Sequence, residues 1–161
     1  MKNRLILVLI LLSTALMLTA CGSKQGESIG TVQAATTPIK EIAEDFVRIK
    51  ITAGNKQLTA SLENNATTKA LVAKFPLTIP MANLYARELC YHFDQALPTD
   101  SIRSDGYQVG DLIYWPPRHS FVILYKQNNE RFSRQHLGRV DSGVDVLADM
   151  DNVNVKFELA D

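Results

Sequence analysis

The stretch Gly110-Asp111-Leu112-Ile113-Tyr114-Trp115-Pro116-Pro117-Arg118-His119-Ser120-Phe121-Val122-Ile123-Leu124-Tyr125 decides how the rest of the chain is read. Leu112 to Trp115 and Phe121 to Tyr125 are runs of the apolar, aromatic and β-branched types that suit a pleated sheet. Pro116 and Pro117 between them cannot donate ladder hydrogen bonds, so the stretch predicts two strands around a turn. Phe121 to Tyr125 carries no polar member inside the run, which predicts a strand buried on both faces and central to the domain. At the break, Trp115, Arg118, His119 and Ser120 form the densest group of functional side-chain types in the sequence. A site is expected there first.

The flanking segments read mostly as strands. Phe46 to Ile51 alternates apolar and charged residues, Ala53-Gly54-Asn55-Lys56 supplies a turn, and Leu58 to Leu62 completes a first hairpin. Asn64 to Thr68 offers several N-cap candidates before a helical run that ends at Phe75, where Pro76 stops it. Leu77 to Met81 and Cys90 to Phe93 predict two further strands, with Ala82 to Glu88 between them as a loop or bend. Leu97 to Tyr107 is rich in Pro, Asp, Ser and Gly and predicts a long surface connection. Arg131 to Leu137 alternates loosely and Val153 to Leu159 strictly, so the chain ends as a strand. About eight short strands with one or two helices, and no βα alternation, predict a mainly β domain. Periodicity leaves barrel and sandwich both open.

Residues 1–20 have the form of a signal peptide: Lys2 and Arg4 form a charged start, and Leu5 to Leu18 is apolar apart from Ser13 and Thr14. The apolar run falls short of the roughly 20 residues that a spanning helix needs. Leu18-Thr19-Ala20-Cys21 resembles the lipobox of bacterial lipoproteins, which implies cleavage before Cys21 and lipid on its sulfur. Lipid anchoring implies a position on a membrane of the bacterial cell envelope, facing away from the cytoplasm. Residues 21–45 are polar and small with few large apolar side chains. They cannot bury enough surface to offset the entropy of ordering, and read as a tether. The remaining span, 46–161, is the length of one domain with a single core.

Charge narrows the partners. The chain holds 17 basic and 17 acidic side chains, and without Lys2 and Arg4 the balance is 15 against 17, with no basic stripe. Nucleic acid is therefore not an expected partner. With Cys21 carrying lipid, Cys90 has no partner for a disulfide and reads as a small buried residue. His92, His119 and His136 lack metal-ligand spacing, and no phosphate-binding loop, dinucleotide fingerprint or nucleophile elbow appears, so neither metal nor cofactor is expected.

Several short motifs together carry a resemblance to a family. These are Gly54-Asn55-Lys56, the run from Ala70 that ends Phe75-Pro76-Leu77, Gly110 to Pro117, and Leu137-Gly138-Arg139-Val140. Across about Val47 to Leu159 the chain resembles the bacterial cyclophilin-like domains. Gly138 to Leu147 is similar to a Gly-x-Val-x-x-Gly-x-x-Val stretch of true cyclophilins. The resemblance implies a small closed antiparallel β-barrel with one or two short helices.

It also raises two functions. Cyclophilins are thought to isomerise prolyl bonds with an Arg beside an apolar pocket, in a motif of Phe-His-Arg, four residues, Phe, two residues, Gln. Here Arg87, Phe93 and Gln95 come nearest and neither interval matches. Counting from Gly138 places Phe121 on a pocket Phe of the family, but puts Asn129, Glu130 and Arg134 where the family has Trp, Leu and His. The departures favour the other function, a non-catalytic module that holds a small ligand or an extended peptide. Its expected pocket is Tyr114, Trp115 and Phe121 for area with Arg118 and His119 for orientation. Tyr114 and Phe121 are equally ordinary core types, and Arg118 and His119 equally ordinary loop residues.

Overall fold

A computed structural model of the chain describes residues 46–161. The expected signal segment and tether, with Cys21, lie outside the described residues.

The described chain forms nine strands: β1 (Phe46–Ala53), β2 (Lys56–Glu63), β3 (Leu77–Leu84), β4 (Glu88–His92), β5 (Ile102–Arg103), β6 (Asp111–Trp115), β7 (Ser120–Leu124), β8 (Arg134–Val140) and β9 (Val153–Leu159). Eight of them run in the order β2-β1-β9-β3-β4-β7-β6-β8, and β8 pairs back onto β2 to close the ring. Every pairing is antiparallel, and β5 adds a two-residue ladder to β8. The expected closed antiparallel barrel is the fold observed. Closure leaves no long free strand edge, the usual liability of an open sheet.

One α-helix, α1 (Ala66–Val72), follows β2. Asn65 caps it by accepting a hydrogen bond from the Thr68 backbone N–H at 2.9 Å. Buried Leu71 on α1 and Leu147 on a 3₁₀ turn at Val144–Leu147 belong to the interior cluster.

The closing seam depends on one glycine. Gly138 has φ +151, and a Cβ built there would lie 2.1 Å from the Ser61 carbonyl oxygen. Only a residue without a side chain lets β8 approach β2 this closely. Across the same seam, Asp141 accepts hydrogen bonds from Thr59 Oγ1 at 2.7 Å, Ser61 Oγ at 3.0 Å and Arg48 Nη2 at 2.9 Å.

An eight-stranded barrel has an interior just wide enough to be filled by its own side chains. Here Ile49, Ile51, Tyr114, Phe121, Ile123 and Phe157 fill it, with the Phe121 and Phe157 rings 5.1 Å apart. The expectation that β7 is buried on both faces holds because alternate residues enter different clusters. Phe121 and Ile123 point into the barrel, whereas Val122 and Leu124 join Cys90, Tyr107 and Ile113 on its outer wall.

Three boundaries differ from the sequence reading. Strand β3 runs on to Leu84 and β4 starts at Glu88, so the expected loop over Ala82 to Glu88 shrinks to a three-residue connection. Strand β8 spans Arg134–Val140 in place of Arg131 to Leu137. Its first three residues, Arg134, Gln135 and His136, are buried polar side chains, and they hide the strand's apolar pattern. The helix also ends earlier than expected, at Val72.

Candidate functional site

With the interior filled, a sizeable concavity among the described residues lies on the outer wall, over β4, β7 and β6. It is an open groove of about 420 Å³. Strand parity builds its floor. On β4 residues 88, 90 and 92 face outward, on β6 113 and 115, and on β7 120 and 122, since successive side chains alternate across a sheet. The floor is accordingly apolar, with Cys90, Ile113 and Val122 flanked by Leu84, Trp115 and Phe132.

Its two ends differ in charge. At one end Arg87 bonds Glu88 through Nε and Nη2, at 3.0 and 2.6 Å, and Glu130 through Nη1 at 2.5 Å. Burial works against the guanidinium charge, but Glu130 and Glu88 outweigh it and raise the Arg87 pKa. Arg87 in turn holds the Glu130 carboxyl below its ordinary value. At the other end His92 Nδ1 and Ser120 Oγ share a hydrogen bond of 2.8 Å, beside Arg118. Arg118 sits in the 3₁₀ turn Pro116–Arg118. It makes no ion pair among the described residues.

The Cys90 thiol is pushed up to about 11, by burial first and by the nearby Glu88 charge second, with Ser120 and Arg118 pulling the other way. At neutral pH it is a thiol and therefore not a nucleophile. Among the described residues no three His, Cys, Asp or Glu side chains are placed to hold a metal ion.

The turns around the groove are strained. Four non-glycine residues of the described chain have positive φ: Tyr85 (59°), Ala86 (46°), His119 (50°) and Asn129 (63°). Each is a lining residue or directly adjoins one: Tyr85 lines the rim, Ala86 precedes Arg87, His119 separates Arg118 from Ser120, and Asn129 separates Asn128 from Glu130. Left-handed backbone costs an ordinary residue about 1–2 kcal/mol. Such costs gather at ligand clamps and other functional turns.

The five residues singled out in the sequence are divided by parity. Trp115 and Arg118 line the groove. Tyr114 and Phe121 face the barrel interior and are wholly buried there, and the Tyr114 hydroxyl accepts the Leu97 backbone N–H at 2.9 Å. His119 lies in the turn between two lining residues without lining the groove itself. Ser120, grouped with them in the sequence, lines it too, and Tyr85, Arg87, Glu88, Cys90 and His92 are among the further lining residues. For the strand residues the signal is the period of two: if Phe121 faces the core, Ser120 and Val122 face the opposite way.

Comparison with known proteins follows the same fold. A family model described as a cyclophilin-like family matches residues 51–158. No curated protein matches the chain. Among solved structures, the solution structure of a hypothetical protein from Archaeoglobus fulgidus is similar to it with a TM-score of 0.58 and 17% sequence identity. That similarity covers 72% of this chain and 96% of the other, and it is a likeness of fold.

Proposed function

The chain belongs to the cyclophilin-like family, and from that premise we propose that it is a non-catalytic binding module whose ligand or peptide lies in the outer groove. One observation carries the reading: every non-glycine residue in left-handed backbone, among those described, borders this groove. Strain confined to the rim of one concavity is the mark of a surface shaped for a ligand. The floor supplies apolar area and the ends supply a few polar groups, as ligand sites do.

Two of the three arginines that could serve a prolyl isomerase are committed elsewhere. Arg87 is held by two carboxylates. Arg134 is almost wholly buried and spends its guanidinium on the Asp105, Gly106 and Phe132 carbonyls. Arg118 alone of the three faces the groove without an ionic partner among the described residues.

The location proposed for the module is the surface of a bacterial membrane, away from the cytoplasm, with lipid on Cys21 as anchor. Its support is the Leu18-Thr19-Ala20-Cys21 sequence directly after an apolar leader.

The full-length chain in mild detergent tests the reading with short Ala-Pro and Phe-Pro peptides and an unselected pool of short peptides. Trp115, the single tryptophan of the chain, reports binding in the groove by its emission. The expected result is an emission change without faster proline isomerisation. Acceleration that disappears in Arg118→Ala would overturn the non-catalytic reading and leave an isomerase.

A further inference from the structure

The groove's charge is arranged along its length, and that arrangement identifies a class of ligand. Glu88 and His92 face outward from the same strand, four residues apart. At about 3.3 Å per residue they mark ends about 13 Å apart. At the Glu88 end two carboxylates share one guanidinium, which leaves one negative charge uncompensated. At the His92 end stand the Ser120 hydroxyl and Arg118, which has no ionic partner among the described residues. Arg118 and Cys90 line the same groove. Between the ends, Cys90, Ile113 and Val122 offer no hydrogen-bonding side chain beyond the thiol.

Resting on the binding reading above, we propose that the groove takes the carboxy-terminal segment of a peptide about four residues long, with its free carboxylate at Arg118, apolar side chains over the floor and a basic group toward Glu88 and Glu130. A free amino acid carries ammonium and carboxylate on one carbon and cannot satisfy both ends at once. An extended chain of four residues spans about 13 Å and can. Arginine suits the role because its planar fork meets a carboxylate through two hydrogen bonds. Pro116 and Pro117 fix the turn that carries it, so little ordering remains to be done on binding.

Titration of the full-length chain with the tetrapeptide Lys-Val-Ala-Val, as free acid and as C-terminal amide, tests this through Trp115 emission. The acid is expected to bind at least about tenfold more tightly than the amide, the size of one charge-assisted hydrogen-bonding contact. Arg118→Ala should erase that difference while leaving the melting temperature unchanged, since the side chain is exposed. Arg118→Lys should restore part of it. A Glu in place of the peptide's Lys should weaken binding severalfold. Equal affinity for acid and amide would overturn the carboxylate assignment and leave the groove as a binding site. Acetate or free valine binding as tightly as the tetrapeptide would overturn the extended ligand. No emission change with any peptide, including the unselected pool, would overturn both this inference and the reading beneath it.

Discussion

His136 on β8 lies between two carboxylates that reach it from different strands. Its Nδ1 is 2.8 Å from Glu63 Oε1 on β2, and its Nε2 is 3.4 Å from Asp111 Oδ1 on β6. Arg139 and Arg103 complete the cluster, at 2.8 Å from Asp111 and 3.3 Å from Glu63. Burial disfavours the charged imidazole, but Asp111 and Glu63 more than compensate and raise its pKa. Burial likewise works against ionised Asp111, while His136, the Gln108 N–H and Arg139 bring its pKa below the usual range. The signs give a stability window. The His136 contribution is whole below about pH 6.5 and is lost as pH rises through the raised value, because the unfolded chain then sheds its proton first. The Asp111 contribution is whole above about pH 4 and is lost as pH falls through the lowered value. Denaturant unfolding should therefore show greatest stability between these limits. His136→Gln should flatten the fall on the alkaline side and cost about 1–3 kcal/mol at pH 6. An unchanged alkaline slope in that variant would assign the titration to another group.

At the same scale, strand parity divides the five expected pocket residues: Trp115 and Arg118 line the outer groove, and Tyr114, His119 and Phe121 do not. Trp115 and Arg118 were legible because functional side-chain types gather beside Pro116 and Pro117. Tyr114 and Phe121 were grouped with them by nearness in sequence, although neighbours along a strand point to opposite faces. Buried polar residues were the hardest to read. Arg134, Gln135 and His136 look like surface from composition, and only their partners from distant strands make burial tolerable.

Among the elements, the β3–β4 connection has the least ordinary sequence for its conformation. Tyr85 and Ala86 both take positive φ, with the Arg87 N–H bonded to the Leu84 carbonyl at 3.1 Å. That is the requirement of a type I′ turn, which Asn-Gly fills without strain. Here it instead presents an exposed tyrosine, 80% accessible, whose ring lies 5.6 Å from the Arg87 guanidinium at the groove rim. Tyr85→Asn should keep the turn, leave stability unchanged or raise it by about 1 kcal/mol, and weaken peptide binding severalfold. Thermal unfolding and Trp115 titration check the two effects separately. Lost stability with unaltered binding would make Tyr85 a structural residue. The turn's existence was legible only as a bend, because Tyr and Ala carry none of the usual turn signals. By contrast, Gly110-Asp111 before β6 and Pro116-Pro117 after it announced themselves.

For the whole molecule, closure determines where function can reside. Strands β2 and β8 meet over only three residue pairs, Ala60 with Val140, Ser61 with Arg139 and Leu62 with Gly138. That short seam seals a barrel packed through its centre, which is why the proposed ligand is assigned to the wall. The wall is deep enough over β4, β6 and β7 because the segments around Tyr107 and Phe132 stand up beside it. They are joined by the Tyr107 hydroxyl, which donates to the Lys126 carbonyl at 3.0 Å, and by Arg134, which donates to the Asp105 carbonyl at 2.7 Å. Strand count and family motifs made the barrel legible. The groove was not, since it depends on loops whose polar sequences carry no period and whose anchors lie some 20 to 30 residues away in the chain.

Methyl-resolved NMR of the full-length chain, recorded while the unselected pool of short peptides is added, tests the outer-wall site most directly. The largest shifts should fall on Ile113 and Val122, whose methyls face the groove, and should exceed those of Leu112 and Ile123 on the opposite face of the same strands. Larger shifts at the interior residues Leu112, Ile123 and Ile49, or shifts confined to a surface away from β4, β6 and β7, would contradict it.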